Sequence, residues 1–253
     1  MSFSELRERV GERDSGKFNY HLGKLADHFV RRTDVGYELT MAGQQMVGAL
    51  IAGTYNASVS FEPIPIGSPC PICGGDLEAG YADEHVRVEC TECDVFLNQF
   101  PFPPGTIDQF DADTLPEAFD RWLRALFGRT LAGFCPNCAG RLDPRLESND
   151  DERRPVRVKY GCERCGDVGD TSPAFLLSHH PAGVAFYHEH GIDVTETPSW
   201  ELSRRVERTI ERLDDDPPRA RVTIRAGDER LVVHVDADAR VTDVRREPVE
   251  DAT

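Results

Sequence analysis

Four apolar side chains, Phe18, Leu22, Leu25 and Phe29, recur at i, i+4, i+7 and i+11 from the stretch SGKFNYHLGKL onward. At about 100° per residue they share one face of a helix. Lys17, Tyr20, Gly23 and Lys24 then point away from that face, and Asn19 and His21 flank it. Ser15 is the expected cap of this helix. Ahead of it, SELRERVG predicts a shorter helix with Leu6 and Val10 four apart, capped by Ser4 and stopped by Gly11. VRRTDVGYELT predicts two short strands around Asp34-Val35-Gly36, and MAGQQMVGALIAG a further helix capped by Thr40 and carrying Met46, Leu50 and Ile51.

The pattern changes beyond residue 60. FPFPPG (100–105) predicts a stiff apolar connector, because proline fixes the backbone. Residues 114–128, TLPEAFDRWLRALFG, predict an amphipathic helix with Phe119, Trp122, Leu123, Leu126 and Phe127 apolar, expected to join its neighbours as a core helix. SHHPAGVAFYHEHGID (178–193) predicts a helix with histidines near its end, before Gly191. WELSRRVERTIERL (200–213) reads as another helix, followed by the acidic break DDDPP. RVTIRA, RLVVHVD and RVTDVRRE alternate apolar and polar residues, which predicts an antiparallel meander over 219–246 with one covered face, packed on the preceding helix.

All eight cysteines lie in C-x-x-C pairs: Cys70 and Cys73, Cys90 and Cys93, Cys135 and Cys138, Cys162 and Cys165. Two residues between thiolates let a tight knuckle aim both sulfurs at one ion, and two knuckles complete a tetrahedral site. The knuckles are 16 residues apart in the first set and 23 in the second, and each gap holds a returning strand, VRVEC or VRVKYGC. CPICGGDL aligns with CPNCAGRL, and VRVECTECD with VKYGCERCGD, so the region reads as a duplicated zinc ribbon. Zinc in two structural four-cysteine sites is the expected cofactor; an iron–sulfur cluster uses the same ligands. Disulfides are disfavoured without an export signal, and the βαβ context of a redox C-x-x-C is absent. Four thiolates per ion leave no open position for water, so metal catalysis is not expected.

Charge then separates the first segment from the rest. The formal net charge is −16, with 45 acidic residues, and lysine is confined to Lys17, Lys24 and Lys159. Such a carboxylated, lysine-poor composition resembles that of proteins from salt-accumulating haloarchaea, where acidity is an adaptation to solvent. Residues 1–55 carry seven basic and seven acidic side chains, so the whole negative balance falls on 56–253.

Helix, turn, helix, hairpin, helix is the order of a winged helix-turn-helix. SELRERVG, SGKFNYHLGKL and FVRRTDVGYELTMAG together resemble an arsenical-repressor-type (ArsR-like) winged helix, with N-Y-H-L-x-x-L as its recognition-helix core. The resemblance covers residues 2–55 and points in particular to haloarchaeal regulators with a cysteine-rich C-terminal half. It implies that Lys17, Asn19, Tyr20 and Lys24 face the major groove of double-stranded DNA, with His21 at its side. It also implies that Arg31 and Arg32 reach phosphates or the minor groove from the wing. A homodimer through MAGQQMVGALIAG is implied as well. Domains of this type begin with a helix ahead of SELRERVG, which this sequence lacks. Either the true start lies upstream, or Phe29, Leu39 and Met46 lose apolar cover that a partner chain would supply.

The expected architecture is thus α+β in several parts. Residues 1–55 form a winged helix-turn-helix without its first helix. Residues 66–172 form the duplicated ribbon region (66–100 and 131–170), and 173–250 a C-terminal α/β segment. The expected function is a sequence-specific transcriptional regulator, cytoplasmic, whose C-terminal region takes a small-molecule effector or contacts the transcription machinery. The alternative is a general, polymerase-docking factor resembling archaeal transcription factor E. No apolar run is long enough for a membrane span, and no catalytic motif is present, so neither membrane partners nor an enzyme is expected. His179, His180, His188 and His190 are expected to pack rather than to bind metal.

Overall fold

The computed structural model describes residues 1–53, 59–93, 95–151 and 154–249. Residue 55, the expected end of the first segment, and residue 250, the expected end of the last, lie outside them. The chain is α+β, with several antiparallel sheets, and divides into two compact units. One comprises 1–62, 81–85 and 101–111; the other comprises 63–80, 86–100 and 112–253.

The first unit opens with α1 (Phe3–Val10). Its cap is Ser2 rather than Ser4: Ser2 Oγ accepts from the Glu5 N–H, and Glu5 reaches back to the Ser2 N–H at 2.7 Å, a reciprocal capping box. Ser4 has Arg7 three residues on and could not close that box. Gly11, left-handed at φ 72°, ends the helix as expected. Helix α2 (Ser15–Leu25) is capped by Asp14, not Ser15, because the carboxylate accepts from both Gly16 and Lys17 N–H at 2.8 and 3.0 Å. The hairpin β1 (Val30–Thr33) and β2 (Gly36–Leu39) follows, then α3 (Met41–Ile51) with Thr40 as its cap.

The apolar face of α2 is narrower than its periodicity predicts. Phe18 and Leu22 are buried with Val30, and Phe3, Leu6, Phe29 and Tyr37 pack around them. Leu25 is 45% exposed, and Phe29 lies beyond the helix, which ends when Ala26 turns extended. Phe29 is half-buried, whereas Leu39 and Met46 are largely exposed, as are Met41, Val47, Leu50 and Ile51. That is a continuous apolar stretch on α3 with little cover inside its own unit.

Sheet order β3-β4-β5-β6 builds the first ribbon from Phe61–Pro69, Asp76–Ala82, His85–Cys90 and Phe96–Pro101. Pro63 and Pro65 fall on its edge strand, the place in a sheet where proline is tolerated. FPFPPG, expected as a stiff apolar connector, also packs. Phe100 and Phe102 are buried at 2% and 3% exposure, and a short helix α4 (Pro104–Ile107) starts within it. Helix α5 (Leu115–Leu131) buries Leu115, Ala118, Phe119 and Leu123, the spacing of one helical face. Trp122 is partly exposed.

The second ribbon is the antiparallel sheet β7 (Leu142–Ser148), β8 (Val156–Cys162) and β9 (Gly166–Thr171). Three short helices follow, α6 (Pro173–Leu177), α7 (Pro181–Glu189) and α8 (Ser199–Arg205). The predicted helix 200–213 stops at Arg205, and Glu207–Asp215 is a strand, β10. Val206 and Ile210 suit either period and Leu213 only the helical one, but pairing Ile210 with Val222 of β11 (Pro218–Ala226) decides for the strand, with a register shift between Arg212 and Asp214. With β12 (Glu229–Val235) and β13 (Val241–Pro248) the meander has four strands rather than three.

One face of this meander, Val222, Ile224, Leu231 and Val233, is fully buried. Its cover is not one helix alone. Leu142, Leu146, Val156 and Val158 of the second ribbon lie in the same apolar cluster, with Leu177, Phe186 and Tyr187 of α6 and α7. Leu146 N–H also donates to Ala237 O at 2.9 Å. The outer face carries cross-strand ion pairs such as Arg221–Glu211 at 2.9 Å and Arg230–Glu247 at 2.7 Å. Among the described residues no helix is long and apolar enough to cross a membrane.

Candidate functional site

The two cysteine sets come together as their spacing predicts. Cys70, Cys73, Cys90 and Cys93 form one group, and Cys135, Cys138, Cys162 and Cys165 the other, with the four sulfurs of each within 4.8 Å of one another. Either set could hold a metal ion. The first group is closed by approaches of 3.7 Å (Cys70–Cys93) and 3.5 Å (Cys73–Cys90), the second by 3.5 Å for both Cys135–Cys165 and Cys138–Cys162.

Each knuckle is made the same way twice. Cys70 N–H donates to Gly75 O, and Cys135 N–H to Gly140 O, at 2.7 and 2.8 Å. Gly74 and Ala139 follow the second cysteine, both left-handed at φ 81° and 54°. Backbone N–H groups aim at the sulfurs: Ile72 at Cys70, Gly75 at Cys73, Glu92 at Cys90 and Arg164 at Cys162, all at 3.4 Å. Gly75 and Gly140 take equivalent places where a Cβ would not fit. On Gly75 it would stand 2.5 Å from the Glu92 side chain; on Gly140, 3.2 Å from the sulfurs of Cys138 and Cys162 and from Arg164 Cδ. The cysteine spacing identifies the ligands but not these packing partners, although the aligned repeat places Glu92 and Arg164 at matching positions.

N–H donors and neighbouring thiols together sort the cysteines. Burial pushes Cys70 up, but the N–H groups of Cys73 and Ile72 and the neighbouring thiols outweigh it and bring Cys70 down to about 7. The N–H groups of Arg164 and Cys165 bring Cys162 down to about 6. Gly75 N–H draws Cys73 down, yet the thiols of Cys93 and Cys90 outweigh it and raise Cys73 to about 12. Cys135 and Cys162 raise Cys165 to about 12 as well. At neutral pH the metal-free sets therefore keep protons on Cys73 and Cys165, and an incoming ion must expel them. Metal uptake is expected to release protons and to tighten as pH rises. Calorimetric titration with a divalent ion in buffers of different ionisation enthalpy measures this; a buffer-independent heat would contradict it.

A family model described as a domain of unknown function, DUF7351, matches residues 67–241, a stretch holding both cysteine sets and reaching into the meander. The chain belongs to the DUF7351 family. A second model, DUF7347, also a domain of unknown function, matches residues 1–50, which hold α1, α2 and nearly all of α3. No curated protein and no solved structure matches the chain.

Within the DUF7351 region the four histidines do not converge. His180 Nδ1 accepts from Ala182 N–H as the cap of α7, and His190 Nδ1 lies 2.8 Å from Phe186 O at its other end. His179 Nδ1 is 3.0 Å from Ser178 Oγ. Among the described residues the metal-competent groups are the two cysteine sets. The same region also holds a cavity of about 280 Å³, lined by Arg124, Phe175, His179, Val184, Val194 and Leu202.

In the DUF7347 segment, Lys17, Asn19, Tyr20, His21 and Lys24 are all exposed along α2, opposite buried Phe18 and Leu22. Lys24 Nζ sits 5.4 Å from the Tyr20 ring centre, and the Tyr20 and His21 rings meet edge-on at 5.4 Å. Lys17 is paired with Glu12 at 3.0 Å and Arg31 with Glu38 at 2.6 Å, while Arg32 is exposed on the hairpin. Exposed pairs like these contribute little and yield readily to a stronger anion.

Proposed function

We propose that the chain is a sequence-specific DNA-binding transcriptional regulator with an N-terminal winged helix-turn-helix and a metal-stapled C-terminal region. The observation that carries this reading is the exposed face of α2. Five side chains able to contact bases or phosphates stand on a helix whose opposite face is anchored by Phe18 and Leu22. Asn19 suits bidentate pairing with adenine, and Lys17 and Lys24 suit guanine or phosphate. Arg31 and Arg32, on the β1–β2 wing, suit the backbone. The exposed Met41, Met46, Val47, Leu50 and Ile51 of α3 suit burial in a homodimer.

Zinc is the ion this reading assigns to both sets. Four sulfurs at about 2.3 Å from one tetrahedral ion stand about 3.8 Å apart, close to the 3.5 and 3.7 Å separations between the cysteines. The ions bind and staple; with four thiolates each they leave no place for a reacting water. The cavity beside Arg124 and His179 is the place this reading assigns to a small-molecule effector. A cytoplasmic, salt-rich setting accords with the −16 charge.

Chromatin immunoprecipitation of the tagged protein tests the function. A few sharp peaks sharing a motif are the expected result; broad occupancy of most promoters would favour a general factor resembling archaeal transcription factor E. On the motif so found, Asn19→Ala with Tyr20→Ala should weaken binding about a hundredfold or more, each base contact being worth about 1–3 kcal/mol. Fluorescence anisotropy in potassium chloride measures it, and an unchanged affinity would point to protein docking by this segment.

A further inference from the structure

We propose that the knuckle end of the second ribbon is a docking surface for nucleic-acid phosphates. The internal repeat supplies the contrast. Where the first ribbon carries Asp76 and Glu92, the equivalent places in the second carry Arg141 and Arg164. The duplication has kept the sulfurs and reversed the charge beside them.

The second set of basic groups is gathered rather than scattered. Arg164 Cδ and the sulfurs of Cys138 and Cys162 all lie 3.2 Å from the point a Cβ on Gly140 would take. Arg129 Nη2 donates to Cys135 O at 3.3 Å. Phe134 pairs with Arg141 through an isolated antiparallel bridge. The side chains of Arg129 and Arg164 and the backbone of Phe134 and Arg141 thus meet at one knuckle, and all four residues are exposed, Phe134 at 56%.

These arginines also differ from their neighbours in having no acidic partner. Arg145 and Arg157, on the strands of the same ribbon, are both ion-paired. Arg129, Arg141 and Arg164 are in no salt bridge among the described residues, although the chain has 45 acidic residues from which to choose. Glu163, inside the knuckle, is the acid of the same turn and leaves the net charge there positive. Unpaired guanidinium forks match phosphate oxygens bidentately.

This inference rests on the DNA-binding reading above and adds a second point of attachment to it. The test is anisotropy of the full-length, metal-loaded protein with a fluorescein-labelled duplex of random sequence, over a potassium chloride series. Arg141→Asp with Arg164→Glu gives the second ribbon the charges of the first. It should weaken binding about tenfold or more and reduce the slope of log affinity against log salt by about two, one for each phosphate no longer neutralised. Equal affinity and equal slope would overturn the inference while leaving the DNA-binding reading intact; a wild-type chain that does not bind the random duplex would also overturn the inference alone, since the sequence-specific reading stands or falls on the motif found by immunoprecipitation. Tighter binding of the wild type to polyglutamate than to the duplex, abolished in the double variant, would overturn it in favour of an acidic protein partner. Metal content is measured alongside. If the double variant loses an ion, Arg141→Gln with Arg164→Gln carries the test, with a smaller loss of affinity expected and an unchanged affinity counting against the proposal.

Discussion

Cys162→Ser is expected to lower the metal content by one ion per chain and to unfold the second ribbon together with the C-terminal sheet. Cys162 and Cys135 are not confined to a peripheral loop. Both are buried in the cluster that contains Leu146, Val158, Val222 and Val233. A structural zinc ion contributes about 10–16 kcal/mol of apparent binding energy to folding, against a net stability of about 5–15 kcal/mol for a typical domain. Losing one ligand therefore removes a term comparable to the whole stability, and the damage should spread through the shared core. The buried Trp200 provides a fluorescence signal, and atomic emission counts the metal. A variant that has lost its ion and yet melts at the wild-type temperature would refute this coupling.

Asp120→Ala is expected to destabilise the fold by about 3–5 kcal/mol, the usual cost of removing one partner from a buried ion pair. Asp120 is only 2% exposed on α5. One of its oxygens pairs with Arg124, and the other accepts the Ser199 N–H at 2.8 Å, where α8 begins. Arg124 in turn donates to Val194 O at 2.6 Å, so two carboxylate oxygens and one guanidinium tie α5 to the segment 194–199. Without the carboxylate, Arg124 keeps a charge in a mostly buried place, and its Nε already lacks a partner. For a chain of this length the shift in melting temperature should be about 10 °C. Asp120→Ala combined with Arg124→Met should recover a good part of it, because a well-packed apolar pair replaces the ions without a stranded charge. Thermal unfolding at fixed potassium chloride follows both. A single variant within about 1 kcal/mol of wild type would show that the pair contributes little.

Legibility in the sequence varies with how local the deciding interaction is. The metal-competent cysteine sets are fully readable, since a C-x-x-C knuckle brings its own turn and its ligands need only one partner knuckle. The helices α1, α2, α3 and α5 are readable from periodicity, but their ends are not. Ser2 and Asp14 take the caps from Ser4 and Ser15 because of hydrogen bonds that one side chain makes with particular N–H groups. Phe29 keeps helical spacing in the sequence although the backbone has already turned at Ala26. The strand β10 escapes a sequence reading for a different reason. Its apolar residues Ile210 and Leu213 are spaced as in a helix, and only its pairing with β11, remote from any local signal and shifted in register at Leu213, selects the strand. Asp120 is equally hidden, since nothing within four residues distinguishes a surface i, i+4 pair with Arg124 from one placed under α8.

The joint cluster of the second ribbon and the meander sets where the chain can be divided. A fragment cut after residue 172 would carry both cysteine sets and look complete by motif. It would nonetheless bring Leu142, Leu146, Val156 and Val158 to water, because their cover comes from residues 174–235. Such a fragment should aggregate even when fully charged with metal, whereas one running from 131 to 249 keeps that cluster whole. The two copies of the repeat are thus no longer interchangeable parts: the second has become half of something larger.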